Sequence, residues 1–258
     1  MPVNYLIRHW TRDTTRIGSS RDGATVVRVN DRAATREAII HSLTLEGLNV
    51  VLSSEWHLKP PSKPLERDWD YTSLVFHHAG NSHGCDIDPN KQMVDIEKVH
   101  LGSGFATVRY HYAVACDGTI YEARDIRYKG EHVAKANTGK IGVVLLADLS
   151  PRGEAWTNGP SSWKKIRDGK FLKGLKEFAG QARDTLDVSV DTAPWQQMEA
   201  LTILCQMLKS FFPIVDLGGH RDYVVSDDDS RACPGERGLF IAAIVRSDLM
   251  LLQPPRRQ

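Results

Sequence analysis

Two side chains with metal-binding chemistry share one short polar stretch: His220 in Gly218-Gly219-His220-Arg221-Asp222, and Cys233 in Ala232-Cys233-Pro234-Gly235. The loop around them is rich in Gly and Asp, so neither the imidazole nor the thiol is needed there to fill a core. Together they supply half of the tetrahedral nitrogen and sulfur set that zinc prefers. The rest must come from elsewhere, and the best source is Leu74-Val75-Phe76-His77-His78-Ala79-Gly80, an apolar run ending in two histidines. Scattered ligands are a less specific signal than paired Cys-x-x-Cys knuckles. Two readings therefore stand: a three-ligand catalytic site that leaves a position for water, or hydrogen-bonded histidines at element ends beside a small buried cysteine.

Such a site needs elements to hold it. Residues 72–77 read as a short buried strand that delivers His77 and His78 at its end. Lys91 to Leu101 repeats apolar residues at helical spacing and stops at Gly102-Ser103-Gly104. Two β-rich runs, 108–116 and 119–123, flank Asp117-Gly118, a strong hairpin signal. Ile141 to Ala147 is almost continuously apolar, which predicts a central strand covered on both faces. Further helices are expected around Trp163 to Thr185, from Pro194 to about Phe212, and from about Leu239 to Leu251. Towards the N-terminus, a strand at 25–29, a helix at 33–43 and a strand at 49–53 read as a small β-α-β extension. Three prolines in 59–64 mark its linker, giving an extension over 1–65 and a main domain over 66–258.

Composition narrows the function classes. The 33 basic and 32 acidic residues among 258 leave a net charge of +1, which argues against a nucleic-acid partner. No run approaches the roughly 18 apolar residues of a membrane span. The first ten residues lack the apolar core of a secretory signal, so synthesis in a cytoplasm is expected, with exit by lysis or a dedicated export machine. Four cysteines without Cys-x-x-Cys spacing predict no disulfide scaffold, leaving room for one pair among Cys85, Cys116 and Cys205.

From about residue 70 to 245 the chain resembles the zinc-dependent N-acetylmuramoyl-L-alanine amidases of the type 2 class, which share a fold with peptidoglycan recognition proteins and phage lysozyme-type amidases. Five ordered pieces carry the resemblance. They are Val75-Phe76-His77-His78; Arg109-Tyr110-His111-Tyr112 with Asp117 to Arg124; Gly130-Glu131-His132 with Asn137; Ile141-Gly142-Val143; and Gly219-His220-Arg221-Asp222 with Ala232-Cys233-Pro234-Gly235. The resemblance implies an α/β fold with a central mixed β-sheet flanked by helices. It implies Zn2+ held by His77, His220 and Cys233, with peptidoglycan as the substrate.

By the same resemblance Tyr110 assists the attacking water or the oxyanion, and His78, His132 and Asn137 line the substrate pocket. Two departures from the family pattern stand out. Arg231 occupies the place of a frequent Lys or Thr, so it offers fixed positive charge without proton exchange. The interval from His220 to Cys233 is lengthened by 223–229, with Asp227, Asp228 and Asp229 in a row. Val144 stands where the cytoplasmic recycling relatives carry glutamate, which points to a phage endolysin or an interbacterial effector. The rivals are a recognition module that binds peptidoglycan without cutting it, and a structural zinc site closed by His78, His83 or Asp229. The N-terminal extension is a candidate surface for wall targeting, export or a neutralising partner.

Overall fold

The architecture was analysed in a computed structural model, which describes residues 31–80, 83–151, 192–225 and 232–255. The strand expected at 25–29, the helix expected at 163–185, Arg231 and the 227–229 acidic run lie outside the described residues. In chain order the elements are α1 (Asp31–Leu45), β1 (Val50–Val51), β2 (Ser73–His78), α2 (Pro89–Gly102), β3 (Tyr112–Val114), β4 (Ile120–Glu122), β5 (Lys140–Leu145), α3 (Trp195–Phe211), β6 (Asp216–Gly219), α4 (His220–Tyr223) and α5 (Gly235–Asp248). The strands form one sheet in the order β1-β4-β3-β5-β2-β6. Of the strand pairings among the described residues, the β3–β4 hairpin is antiparallel and β1–β4, β3–β5, β5–β2 and β2–β6 are parallel. This is the mixed sheet that the resemblance implies.

Strand alternation sorts the core into two layers. Val143 and Leu145 of β5 join Leu74, Phe76 and the inner faces of α1, α3 and α5, among them Ile39, Leu43, Leu204 and Val245. Val144 and Leu146 point the other way, to Trp56 and to Met93 and Ile96 of α2. Because β2 and β5 have neighbours on both sides and cover on both faces, their sequences read as unbroken apolar runs. The Asp88 side chain caps α2 by accepting from Lys91 N at 2.9 Å, with Pro89 beginning the helix. Gln197 of α3 donates to the Val114 carbonyl at 2.9 Å, fixing that helix on the sheet.

The N-terminal helix and strand share this core. Val50 and Val51 pair with Ile120 and Tyr121 at the sheet edge. Arg36 of α1 makes a bidentate pair with the buried Glu122, and Nη2 to Oε2 measures 2.6 Å. The same carboxylate accepts from Ser53 N and Oγ. One disulfide joins Cys85 to Cys116, bridging the loop after β2 to the end of β3, while Cys205 is a buried free thiol. No helix among the described residues is long and apolar enough to cross a membrane.

Candidate metal centre

Parallel register brings the site together. In the β2–β6 ladder Phe76 is the partner of Gly219, so the next residue on each chain, His77 and His220, meets at the carboxyl ends of adjacent strands. Their ring centroids are 4.8 Å apart. Such strand ends are where open parallel sheets place their ligands. Cys233 arrives two residues before α5. The close approach of its loop depends on Gly219, where a Cβ would lie 2.6 Å from Pro234 Cδ and from Leu239 Cδ2. Arg221 donates to the Ala232 carbonyl and ties α4 to the same loop.

One donor atom from each of His77, His220 and Cys233 lies within 4.8 Å of the others. His77 and His220 are buried, and Cys233 is partly exposed. The hydrogen bonds of His77 test whether this set fits a metal. Its Nε2 is 3.1 Å from His132 Nδ1, and His132 Nε2 is 3.3 Å from the Lys140 carbonyl oxygen. A carbonyl can only accept, so His132 Nε2 carries the proton and His132 Nδ1 accepts from His77 Nε2–H. His77 Nδ1 then keeps its lone pair, aimed at Cys233 Sγ at 3.5 Å. Burial, reinforced by neighbouring histidines, holds His77 and His132 well below the usual histidine range, in the neutral form that binds metal. Two nitrogens and one sulfur, with a fixed tautomer behind one of them, fit zinc with a position left over.

The other expected residues are distributed around this centre. Tyr110 packs its ring 4.7 Å from that of His77 and lines a groove of about 520 Å3 that opens beside the centre. His78 follows His77 in the strand; its Nδ1 accepts from Leu149 N at 3.2 Å and lies 3.7 Å from Asp148. With that lone pair used and burial lowering its pKa to about 4, His78 is neutral and the contact with Asp148 is not an ion pair. Among the described residues neither His78 nor His83 joins the ligand group.

His132, expected against substrate, is 1% exposed and sits behind His77. Asn137, also expected against substrate, closes the 133–137 loop, with Oδ1 accepting from Val133 N at 2.7 Å.

The slot for His132 is the part that sequence reasoning did not find. A Cβ on Gly130 would come 2.4 Å from His132 Cδ2, and one on Gly142 would come 2.6 Å from the same atom. A glycine inside an apolar strand signals such close approach, and Gly142 carries that signal. Arg124, 2% exposed, fixes the loop leading to His132 by donating to the carbonyls of Val108 and Lys129 and to the Glu131 carboxylate. A larger cavity of about 600 Å3 is lined by the Pro61–Pro64 stretch; neither it nor the smaller groove is lined by a ligand residue, although the smaller one is lined by Tyr110 and His78 beside them. The site is therefore located by its donor atoms and not by cavity size.

Residues 67–236 match the family model for N-acetylmuramoyl-L-alanine amidase, Amidase_2, and the chain belongs to that family. Peptidoglycan-recognition protein SD of Drosophila melanogaster is 24% identical over 164 residues, 59% of this chain and 83% of that protein. The endolysin of Escherichia phage T7 is 25% identical over 145 residues, 51% of this chain and 90% of that one. Among solved structures, Drosophila PGRP-LB superposes with a TM-score of 0.55 at 21% identity, covering 80% of this chain and 96% of that chain. The fold is thus that of the type 2 amidases and peptidoglycan recognition proteins.

Proposed function

We propose that the protein is a zinc-dependent peptidoglycan hydrolase that cleaves the amide between N-acetylmuramic acid and L-alanine of the stem peptide. The observation carrying this reading is the convergence of His77, His220 and Cys233 beside an open groove, with the tautomer of His77 fixed by His132. Zinc held there supplies Lewis acidity towards a carbonyl and lowers the pKa of water to about 7. The chain's own contribution is to exclude solvent from the ligands and to hold the scissile amide. Tyr110, beside His77, offers a hydroxyl that donates to the carbonyl oxygen as negative charge develops there. Arg231, two residues before Cys233, contributes fixed positive charge to the same oxygen. Hydrolysis adds water oxygen to the lactyl carbonyl carbon, breaks the C–N bond and delivers a proton to the departing alanine nitrogen.

A bacteriolytic role, as a phage endolysin or an interbacterial effector, follows from this activity. Residues 1–65 are then assigned to delivery, export or recognition by a neutralising partner. Because α1 and β1 belong to the core and the sheet, the deletion that tests that assignment removes residues 1–30 only, comparing hydrolysis of isolated wall with killing of intact cells.

The activity itself is tested by incubating purified peptidoglycan with the wild type and with Cys233→Ser, each with and without a chelator. Chelator-sensitive release of amino groups by the wild type alone is expected. Co-sedimentation with the wall and no release would instead identify a recognition module.

A further inference from the structure

The groove beside Tyr110 has mixed walls, with Ala79, Ile96, Val99 and Phe105 set among histidines, Ser103 and Arg109. Its titratable groups are unequal. Burial lowers His100 to about 3, and lowers His83 as well, although Asp95 acts on His83 in the opposite sense. Both imidazoles are therefore neutral at pH 7. Arg109 is permanently charged, and no carboxylate is among the described residues lining the groove. Asp95 and Glu97 flank the lining residue Ile96 without lining the groove themselves; Glu97 is buried and its Oε1 accepts from Lys59 N at 2.8 Å, and the Glu131 carboxylate lies 2.6 Å from Arg124. Among the described lining residues Arg109 is the one with a permanent charge, and it is positive.

That charge is held in position. The backbone N–H of Arg109 donates to His100 Nδ1 at 3.3 Å, its Nε donates to the Glu131 carbonyl, and its guanidinium carbon lies 4.2 Å from the centroid of the Phe105 ring. A guanidinium stacked and anchored in this way loses little freedom when it binds a planar anion. His83 adds a second polar group: both ring nitrogens are buried and have no hydrogen-bond partner among the described residues. A ligand that fills the groove can satisfy them, which offsets the cost of leaving a buried polar atom unpaired.

We propose that Arg109 is the specificity-determining residue of this groove and binds a free carboxylate of the stem peptide, the α-carboxylate of its second residue. This inference rests on the peptidoglycan reading of the site. The second residue is a γ-linked D-glutamate, whose α-carboxylate is either free or amidated. It is the first free carboxylate beyond the scissile amide, and Arg109 directly precedes Tyr110, whose ring packs on His77. A charge-assisted bond to the guanidinium is available only to the free acid.

The test uses two muropeptides that differ only in that group, D-glutamate against D-isoglutamine. With the wild type, kcat/KM is expected to be about 10- to 100-fold higher for the free acid. Arg109→Gln should remove the preference through KM with little change in kcat. Arg109→Lys should recover part of it, and both variants should bind zinc as the wild type does. If the wild type cuts both substrates equally, or Arg109→Gln keeps the preference, the proposal is overturned. If neither muropeptide is cut, the hydrolase reading fails, but the proposal is still decided by equilibrium binding. The wild type should then bind the free acid more tightly and Arg109→Gln should bind the two alike; equal affinities for the wild type would overturn it.

Discussion

His77 is oriented by His132: His77 Nε2 stands 3.1 Å from His132 Nδ1, and Lys140's backbone carbonyl fixes the proton on the far side of the second ring. The consequence is a His77 Nδ1 lone pair directed at Cys233 before any metal arrives. Outer hydrogen bonds of this kind typically tune affinity or activity by about 10- to 100-fold. His132→Phe should therefore weaken zinc binding by about that factor while His77, His220 and Cys233 remain in place. Competition against a chromogenic chelator measures it, and an unchanged affinity would remove His132 from the centre.

Gly142 offers an independent route to the same ring. A Cβ there overlaps His132 Cδ2 at 2.6 Å, and the atom beneath it belongs to a central strand that cannot easily move. Gly142→Ala should cost about 1–3 kcal/mol of stability through overpacking and should also lower zinc affinity. Denaturant unfolding and metal titration on the same sample separate the two effects.

Tyr110 is assigned to chemistry and not to metal retention. Tyr110→Phe should keep stoichiometric zinc and lower kcat by about 10²- to 10⁴-fold, the usual range for a lost acid–base or oxyanion contact. Loss of the metal in this variant would show that the ring supports the ligands instead.

The Cys85–Cys116 bond closes a loop with a sequence separation of 31 residues. Chain-entropy arguments give a loop of that size about 3.7 kcal/mol of stabilisation. Reduction, or Cys85→Ser, should lower Tm by several degrees, and an unchanged melt would mean that the bond does not form in solution. A disulfide suits a protein that works outside a reducing compartment.

Stability should fall in mild acid. Burial lowers His111 to about 4; its Nδ1 accepts from Gly142 N at 3.0 Å, and its Nε2 donates to the Tyr128 carbonyl at 2.9 Å. In the unfolded chain the same group titrates near ~6.5. Between those values the unfolded state binds more protons, so stability rises with pH through the window. The contribution is complete above about pH 6.5 and is lost as pH falls through about 4. For a group this buried it amounts to about 3 kcal/mol, at about 1.4 kcal/mol per unit. His78 and His100 act in the same direction. Urea midpoints at neutral pH and near the lower end of that window check this, and equal midpoints would contradict it.

The elements that alternate or repeat cleanly were legible in the chain. The β2 run, the Asp117-Gly118 hairpin and the helix from Pro194 each rest on local signals that tertiary packing did not override. The joining of His77 to His220 is different, because it depends on β2 and β6 lying side by side across about 140 residues of sequence, and no local pattern encodes that. Resemblance supplied it. Resemblance also assigned His132 and Asn137 to the substrate, whereas their hydrogen bonds run to His77 and to the loop backbone. The Cys85–Cys116 pairing was open for the same reason: spacing alone does not say which cysteines meet.

The central claim is tested most directly by identifying the new N-terminus released from a defined muropeptide by the zinc-loaded protein. Mass spectrometry should show a peptide beginning with a free L-alanine amine and a sugar fragment ending in an intact lactyl carboxylate, with both products abolished in Cys233→Ser. Release of any other amine, new reducing sugar ends, or the same products from Cys233→Ser would contradict the account.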